Sequence, residues 1–202
     1  MKRKMVAMFC VGLMALSTVA CGGSADSTQT SNETKETTAE VTETADQKQI
    51  AYLTPGLDLP FWRYLANGIE NEVIDSGMAA TVQVYDSNNS SETQLQNAQD
   101  AIAKNVDLII ISPTDSSSCP AVLSLAEEAD IPVVIADVGT DSGTYDAFIV
   151  TPNADGSQEL GEYVLQYMKD NGIEGRAAQI TGPLARNNIK ARYEGFNAAL
   201  EK

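Results

Sequence analysis

Aromatic, carboxylate and guanidinium side chains follow several short apolar runs of this chain, and these residues are the best suited to hold a ligand. Phe61 and Trp62 follow the first run, Ser112 the third and Asp137 the fourth, while Arg192 lies beyond a later one. The two rings offer flat apolar faces, the carboxylate offers two acceptors, and the guanidinium offers donors in a fixed plane. This combination suits a neutral ligand that carries several hydroxyl groups.

Each of these residues also has a structural interpretation that the sequence leaves open. Phe61 could simply begin the buried stripe of a helix, whereas Trp62, about 100° further round that helix, is harder to bury with it. Asp137 could be a turn or capping residue. Arg192 could pair with Glu194 or another acid at the surface.

Catalytic and metal-binding chemistry finds little support in this sequence. The chain has no histidine, which excludes nucleophilic catalysis assisted by histidine and metal sites built on imidazole. No G-x-S-x-G motif occurs, and the glycine turns lack the spacing of dinucleotide-binding and phosphate-binding loops. Cys119 is predicted to be a small packing residue, because nothing near it in the sequence would lower its pKa. We therefore expect a protein that is not an enzyme and that needs no cofactor or metal.

The elements that must position these residues alternate between short apolar runs and amphipathic periods from Gln49 onward. Strands are predicted at residues 50–54, 81–86, 108–111, 131–136 and 147–150. Helices are predicted at 61–76 and about 91–105, followed by a third that is capped by Asp115 or Ser116 and ends near 130. Crossovers of this length predict an α/β fold with an open parallel sheet and helices on both faces. Ligands bind such sheets at the carboxyl ends of the strands, which is where the candidate residues stand.

After Pro152 the strand and helix pattern starts again but is not completed. A helix from about residue 155 to 171, a strand at 177–181 and a final helix are predicted. The apolar residues expected to be buried in these two helices are Leu160, Val164, Tyr167, Ile189, Phe196 and Leu200. The sequence thus predicts a complete first α/β lobe over residues 49–152 and an incomplete second lobe over residues 153–202.

The first 48 residues are predicted to deliver the rest of the chain to an extracytoplasmic location. Residues 1–20 have basic residues at 2–4, a short apolar run and small residues before Cys21, which is the pattern of a secretory signal peptide. Cys21 and the two glycines after it resemble the lipobox of bacterial lipoproteins, in which the thiol is acylated; the alternative is a secreted protein with an unused cysteine. Residues 21–48 are rich in Thr, Glu, Ser and Asp and predict a disordered tether. The expected location is the outer face of the bacterial cell membrane.

Charge excludes one large class of partners. The chain has 13 Lys and Arg residues against 28 Asp and Glu residues, a formal net charge of −15. Affinity for phosphate backbones comes from basic side chains, so nucleic acid is not an expected ligand. Because Cys10 would leave with the signal peptide and Cys21 would be acylated, Cys119 is left alone and no disulfide within the chain is expected.

Several segments, in order, resemble the bacterial periplasmic sugar-binding proteins of the ribose and galactose type. The resemblance covers residues 49–202 and rests on Pro60-Phe61-Trp62, Ile111-Ser112-Pro113-Thr114-Asp115, Ile131-Pro132-Val133-Val134 with Asp137, Thr151-Pro152-Asn153 through Gly161, and Arg192-Tyr193-Glu194-Gly195-Phe196. Members of this family close two lobes around a sugar and present it to an ABC-type permease. They continue beyond the point that corresponds to Lys202, so the resemblance implies a C-terminally truncated binding protein.

The resemblance also implies which residues contact the sugar. The candidate ligand contacts are Asp58, Phe61, Trp62, Ser112, Asp137 and Arg192. The two aromatic residues would sandwich the sugar ring, the carboxylate of Asp137 would accept from its hydroxyl groups, and Arg192 would donate from the second lobe. Val138 stands where ribose binders carry an arginine, which argues against ribose as the particular sugar.

Partners follow from the same resemblance. We expect a monomer that binds a pentose or hexose, attaches to the membrane through its lipid anchor, and delivers the sugar to an ABC permease. Two alternatives remain open: a sensory lipoprotein that reports sugar to a membrane kinase or chemoreceptor, and a non-functional truncated remnant.

Overall fold

The computed structural model describes residues 47–201 and contains one five-stranded parallel sheet. Its strands are β1 Lys48–Thr54, β2 Ala80–Asp86, β3 Leu108–Ile111, β4 Val133–Ala136 and β5 Ala147–Ile149. The spatial order is β2-β1-β3-β4-β5, and every neighbouring pair runs parallel. The predicted open parallel sheet is confirmed. The predicted signal peptide, Cys21 and residues 21–46 of the predicted tether lie outside the described residues.

Helices cover the two faces of this sheet. Their bounds are α1 Pro60–Asp75, α2 Ser91–Ala103 and α3 Cys119–Glu128. Ala51 and Leu53 of β1 belong to a buried cluster that also contains residues of α2 and α3. Because successive residues of a strand point to opposite faces, Tyr52 lies on the other face, which α1 covers with Trp62 and Ala66.

The main core lies between the sheet and the pair formed by α2 and α3. Ile109 and Ile111 of β3 and Ile135 of β4 are completely buried in it, and Leu123 of α3 closes over them. A strand in the middle of a parallel sheet is covered on both faces, which explains why β3 is an uninterrupted apolar run.

Beyond the sheet, the chain forms a pair of helices, α4 Asn153–Asp170 and α5 Asn187–Leu200. They approach each other through small residues. A β-carbon at Gly161 would lie 2.6 Å from that of Ala199, and a β-carbon at Gly195 would collide with the carbonyl oxygen of Ala154. Only glycine at these two positions allows the two helices to pack this closely.

The burial predicted for these two helices is wrong for three of the six residues, while Val164, Ile189 and Phe196 are partly buried. Three of the residues expected to be buried are exposed: Leu160, Tyr167 and Leu200. The helices face each other through small side chains, and no sheet in the described part of the chain covers their larger ones. The buried face of each helix, marked by Gly161 in α4 and by Gly195 and Ala199 in α5, is thus displaced by one position from the predicted Leu160, Phe196 and Leu200.

The strand predicted at residues 177–181 is also wrong. This segment forms no strand, and all of its residues are exposed. A strand needs a neighbouring strand to satisfy its backbone N–H and C=O groups, and none lies beside this segment within residues 47–201. The apolar run from Ala177 to Thr181 is thus insufficient to specify a strand on its own.

Candidate ligand-binding site

Three neighbouring strands bring their carboxyl ends to one edge of the sheet. β1 leads through residues 55–59 into α1, β3 ends one residue before Ser112, and β4 ends one residue before Asp137. Since β1 pairs with β3 and β3 pairs with β4, the residues that follow these strands lie along the same edge. Phe61 and Asp137 line one shallow cavity of about 250 Å³ at this edge.

The aromatic pair is oriented differently from the sequence-based expectation. Trp62 has only 3% of its surface exposed, whereas Phe61 is 53% exposed. The helix turns Trp62 and Ala66 toward the sheet, so the interpretation of Phe61 as the start of a buried stripe is wrong. The ring centroids of Phe61 and Trp62 are 4.8 Å apart, with their planes at 78°. Two rings in this edge-to-face contact do not form parallel walls, so a sandwiched sugar would require them to rotate.

Arg186, which the sequence did not single out, covers Trp62. Its guanidinium carbon lies 5.8 Å from the centroid of the indole ring, and its Nε donates to the carbonyl oxygen of Thr114 at 2.8 Å. Burial lowers the pKa of Arg186, and nearby carboxylates, Asp137 most strongly, oppose this fall. Arg186 lies in the loop before α5, and no motif in the sequence pointed to it.

Asp137 combines an unusual backbone turn with a partly buried carboxylate. Its φ of 67° lies in the left-handed region, which is uncommon for a residue with a β-carbon. Its N–H donates to the carbonyl oxygen of Ile149 at 2.8 Å, and its Oδ2 accepts from Nδ2 of Asn188 at 2.7 Å. Burial raises the pKa of Asp137, while Arg192 and Arg186 oppose the rise. Oδ1 is thus the oxygen that remains for a ligand.

Residues 185–188 attach the start of α5 to the loops that follow β3 and β4. The N–H of Ser116 donates to the carbonyl oxygen of Ala185 at 3.0 Å, and the N–H of Asn187 donates to Oγ of Ser116 at 2.9 Å. Nδ2 of Asn187 lies 3.2 Å from Oδ1 of Asp141. Sequence reasoning missed these contacts, because Ser116 and Asn187 are 71 positions apart and no local pattern relates them.

Ser112 and Asp58 differ sharply in accessibility. Ser112 is fully buried, its Oγ lies 3.1 Å from the hydroxyl oxygen of Tyr52, and its carbonyl oxygen accepts from Nε2 of Gln94 at 2.9 Å. Asp58 is exposed, and its Oδ1 accepts from Nδ2 of Asn89 at 3.2 Å. A ligand can therefore reach Asp58 in this structure, whereas the hydroxyl of Ser112 contacts only the core.

Arg192 projects from α5 toward the start of α4. Its Nε donates to Oδ1 of Asn153 at 2.7 Å. Within the described part of the chain, Glu194 pairs with Lys190, whose Nζ lies 3.8 Å from its Oε1, so the surface pairing of Arg192 with Glu194 is not formed. Arg192 also favours the charged form of Asp137, which places the two side chains in one electrostatic environment.

Cys119 packs in the core as predicted, whereas the predicted cap is wrong: α3 begins at Cys119 with Ser118 at its N-cap position, and Asp115 holds the turn before it. Oδ1 of Asp115 accepts from the N–H groups of Ser117 and Ser118, at 3.0 and 2.8 Å, in the turn that leads into α3. Burial raises the pKa of Asp115, but hydrogen bonds from Ser91 and these serines outweigh it and bring the pKa to about 2. Cys119 is fully buried, and burial raises the pKa of its thiol to about 11. This thiol is therefore protonated and unreactive at neutral pH.

The arrangement supports non-covalent binding. An exposed ring, a partly buried carboxylate and two guanidinium groups meet at the strand ends, and each is held by hydrogen bonds or packing. Within residues 47–201, no group of three or more acidic or cysteine side chains is placed to hold a metal ion. Over the same range, none of the helices combines the length and apolar character that a membrane crossing requires.

Comparison with known proteins identifies relatives of this chain. The family model described as a periplasmic binding protein domain matches residues 50–202. The ribose import binding protein RbsB of Haemophilus influenzae is 27% identical over 155 residues, which cover 77% of this chain and 51% of the relative. RbsB of Bacillus subtilis is 30% identical over 141 residues, which cover 70% of this chain and 45% of the relative. The chain spans about half the length of these curated relatives.

Solved structures agree with this relationship. An ABC transporter solute binding protein from Bacillus halodurans, with bound myo-inositol, matches with a TM-score of 0.67 and 26% identity, over 77% of this chain and 53% of that one. The family matched here is a binding family and not a catalytic one. The chain belongs to the family of periplasmic binding protein domains.

Proposed function

We propose that this chain captures a sugar of the pentose or hexose class outside the cytoplasm and delivers it to an ABC importer. The observation that carries this proposal is the position of Asp137, a partly buried carboxylate at the end of β4 that shares a cavity with the exposed ring of Phe61. Relatives support a small ligand with several hydroxyl groups, since they include a ribose import binding protein and a solute-binding protein that holds the cyclic polyol myo-inositol. In this proposal the protein is a monomer and not an enzyme.

Each accessible candidate residue would make a different kind of contact with the sugar. Phe61 would stack on an apolar face of the sugar, because its own ring is exposed while Trp62 is covered. Asp137 would accept from sugar hydroxyl groups through Oδ1, because Asn188 already occupies Oδ2. Arg192 would donate from α5, where its Nε is already fixed by a hydrogen bond.

The remaining candidates would contact the sugar at the rim or after a rearrangement. Asp58 is exposed at the start of α1 and would accept from hydroxyl groups at the rim of the site. Trp62 would reach the sugar only if Arg186 moved off its ring. Ser112 would reach it only if the loop after β3 opened, since its hydroxyl contacts Tyr52.

The chain organisation that goes with this function has four parts. A signal peptide over residues 1–20 directs export, and acylated Cys21 with a tether over residues 21–48 holds the protein at the outer face of the membrane. A first lobe over 49–152 carries Asp58, Phe61, Trp62, Ser112 and Asp137, and the part of a second lobe that residues 153–202 supply carries Arg192. The basic, apolar and small-residue pattern before Cys21 supports the anchor.

Isothermal titration calorimetry against two pentoses, D-ribose and D-apiose, and one hexose, D-glucose, tests the proposal. We expect at least one of them to bind, and we expect Asp137→Asn to weaken that binding about tenfold or more, because it removes a charged acceptor. Asp75→Asn, at the exposed end of α1, is the matched control and should bind normally. Failure of all three to bind the unaltered protein would contradict the proposal, and normal binding by Asp137→Asn would contradict the site. A neighbouring kinase gene without permease genes would contradict the importer as partner.

A further inference from the structure

The segment at the start of α5, residues 185–188, forms a strap across the loops that follow β3 and β4. The carbonyl oxygen of Ala185 accepts from the N–H of Ser116 at 3.0 Å, and Oγ of Ser116 accepts from the N–H of Asn187 at 2.9 Å. Nε of Arg186 donates to the carbonyl oxygen of Thr114 at 2.8 Å. Contacts within the chain itself therefore hold the strap against the edge of the sheet where the strands end.

Two side chains of the strap occupy groups that a bound sugar would use. The guanidinium carbon of Arg186 lies 5.8 Å from the centroid of the Trp62 ring, which is only 3% exposed. Nδ2 of Asn188 donates to Oδ2 of Asp137 at 2.7 Å. A planar guanidinium covers an aromatic face as a sugar ring would, and the amide takes one of the two carboxylate oxygens. The strap and a sugar would therefore compete for the same groups.

The polar groups around the strap are not all satisfied. Oγ1 of Thr114 and Oδ1 of Asn188 are buried and have no hydrogen-bond partner among the described residues. Buried polar oxygens without a partner are unfavourable, so the contact between strap and loops is less stable than a fully paired one. A ligand that carries several hydroxyl groups could supply the missing partners and displace the strap.

Carboxylates keep Arg186 charged in its half-buried position. Burial lowers the pKa of Arg186, and Asp137, Asp115 and Asp58 oppose this fall. We propose that Arg186 is a latch, whose guanidinium holds the strap over Trp62 and must leave the ring before a sugar can stack on it. This inference rests on the proposed function and concerns the regulation of the same site. The apparent affinity for sugar is then lowered by the fraction of molecules in which the latch is closed.

Variants of Arg186 test the latch by calorimetry against D-ribose, D-apiose and D-glucose. Arg186→Ala should raise affinity for the bound sugar about three- to tenfold, because the cation–π contact no longer opposes binding. Arg186→Lys keeps the charge but loses the planar group and Nε, so we expect a smaller increase. The matched control is Arg176→Ala, which removes an exposed arginine and should leave affinity unchanged.

Acrylamide quenching of Trp62, the only tryptophan of the chain, gives a second readout. Sugar should protect this ring from acrylamide more strongly in Arg186→Ala than in the unaltered protein, where the guanidinium already covers the ring. Equal protection in the two proteins would contradict the latch.

The outcomes separate this inference from the proposed function. Sugar affinity that is unchanged or lowered in both Arg186 variants would overturn the latch and leave the proposed function intact. No binding by the unaltered protein or by either variant would overturn both. Binding by Arg186→Ala alone would support the latch most strongly. A circular dichroism spectrum that matches the unaltered protein shows that a variant is folded, and if Arg186→Ala unfolds, the milder Arg186→Lys decides.

Discussion

Alanine in place of glycine should have opposite effects at two positions of α4, and the contrast tests how α4 and α5 pack. At Gly156, apart from the surrounding turns of its own helix, no atom lies within 4 Å of the place a β-carbon would take. A helix with glycine at an interior position is less stable than one with alanine by about 0.5–1 kcal/mol, because glycine loses more conformational freedom when the chain folds. Gly156→Ala should therefore stabilise the protein by about this amount.

At Gly161 the same substitution meets a neighbour that cannot move away alone. The new β-carbon would lie 2.6 Å from the β-carbon of Ala199 and 3.1 Å from the carbonyl oxygen of Phe196. Both atoms are fixed to the backbone of α5, so the whole helix must shift. Overpacking of this kind costs about 1–3 kcal/mol. After the gain in helix propensity is subtracted, we expect a net destabilisation of about 1–2 kcal/mol.

Thermal unfolding followed by circular dichroism measures both effects. One kcal/mol corresponds to about 2–4 °C for a chain of this size. The midpoint should therefore rise by about 1–4 °C in Gly156→Ala and fall by about 2–8 °C in Gly161→Ala. A Gly161→Ala protein that is as stable as the unaltered one would refute the close packing of α4 on α5, and with it the position of Arg192.

Three further predictions concern the strand-end residues. Arg186→Ala should uncover Trp62, the only tryptophan, and shift its fluorescence to longer wavelength with stronger acrylamide quenching, whereas the exposed control Arg176→Ala should change neither; identical spectra would show that Arg186 does not cover the ring. Asp115 has a folded pKa of about 2 against an ordinary 3.8, so its stabilising effect is present above the ordinary value and lost as pH falls toward 2. In acid titrations, Asp115→Ala should be less stable than the unaltered protein at neutral pH and converge with it near pH 2, and equal stability throughout would contradict this. Burial raises the pKa of Asp137, so as the pH is lowered its carboxylate should be protonated before the pH reaches the ordinary carboxyl range. Sugar affinity should fall over the same pH interval, because the protonated group is a weaker acceptor. An affinity that stays constant over this interval would contradict the role of Asp137 as an acceptor for the sugar.

The sheet could be predicted because its signals are local. Apolar runs of four or more residues separated by helical periods specify buried parallel strands, and β3 and β4 lie where such runs occur. The sequence placed Lys48 in the tether, but it begins β1, where its Nζ lies 2.7 Å from Oδ1 of Asp107. The run at 177–181 failed as a strand because strand formation depends on a neighbour, which a local pattern does not reveal.

The edge that carries the site could also be predicted, but its detailed geometry could not. Candidate residues after β1, β3 and β4 follow from topology alone. The rotation of α1 depends on what packs against it, so periodicity left both burial and ligand contact open for Phe61, whereas the structure exposes Phe61 and buries Trp62. Arg186 and Asn188 reach Trp62 and Asp137 only through tertiary approach of α5. Their partners are distant in sequence, and no spacing rule connects them.

We propose that a sugar binds at the carboxyl ends of the strands. Backbone amide NMR, recorded while D-ribose, D-apiose or D-glucose is titrated into the protein, locates the bound sugar. We expect shifts at residues 57–62 and at Asp137 and Arg192, with no change at Lys48, Ala80 and Leu108, which begin β1, β2 and β3 at the opposite edge. Shifts confined to the opposite edge, or no shifts with any of these ligands, would contradict a sugar site at the carboxyl ends.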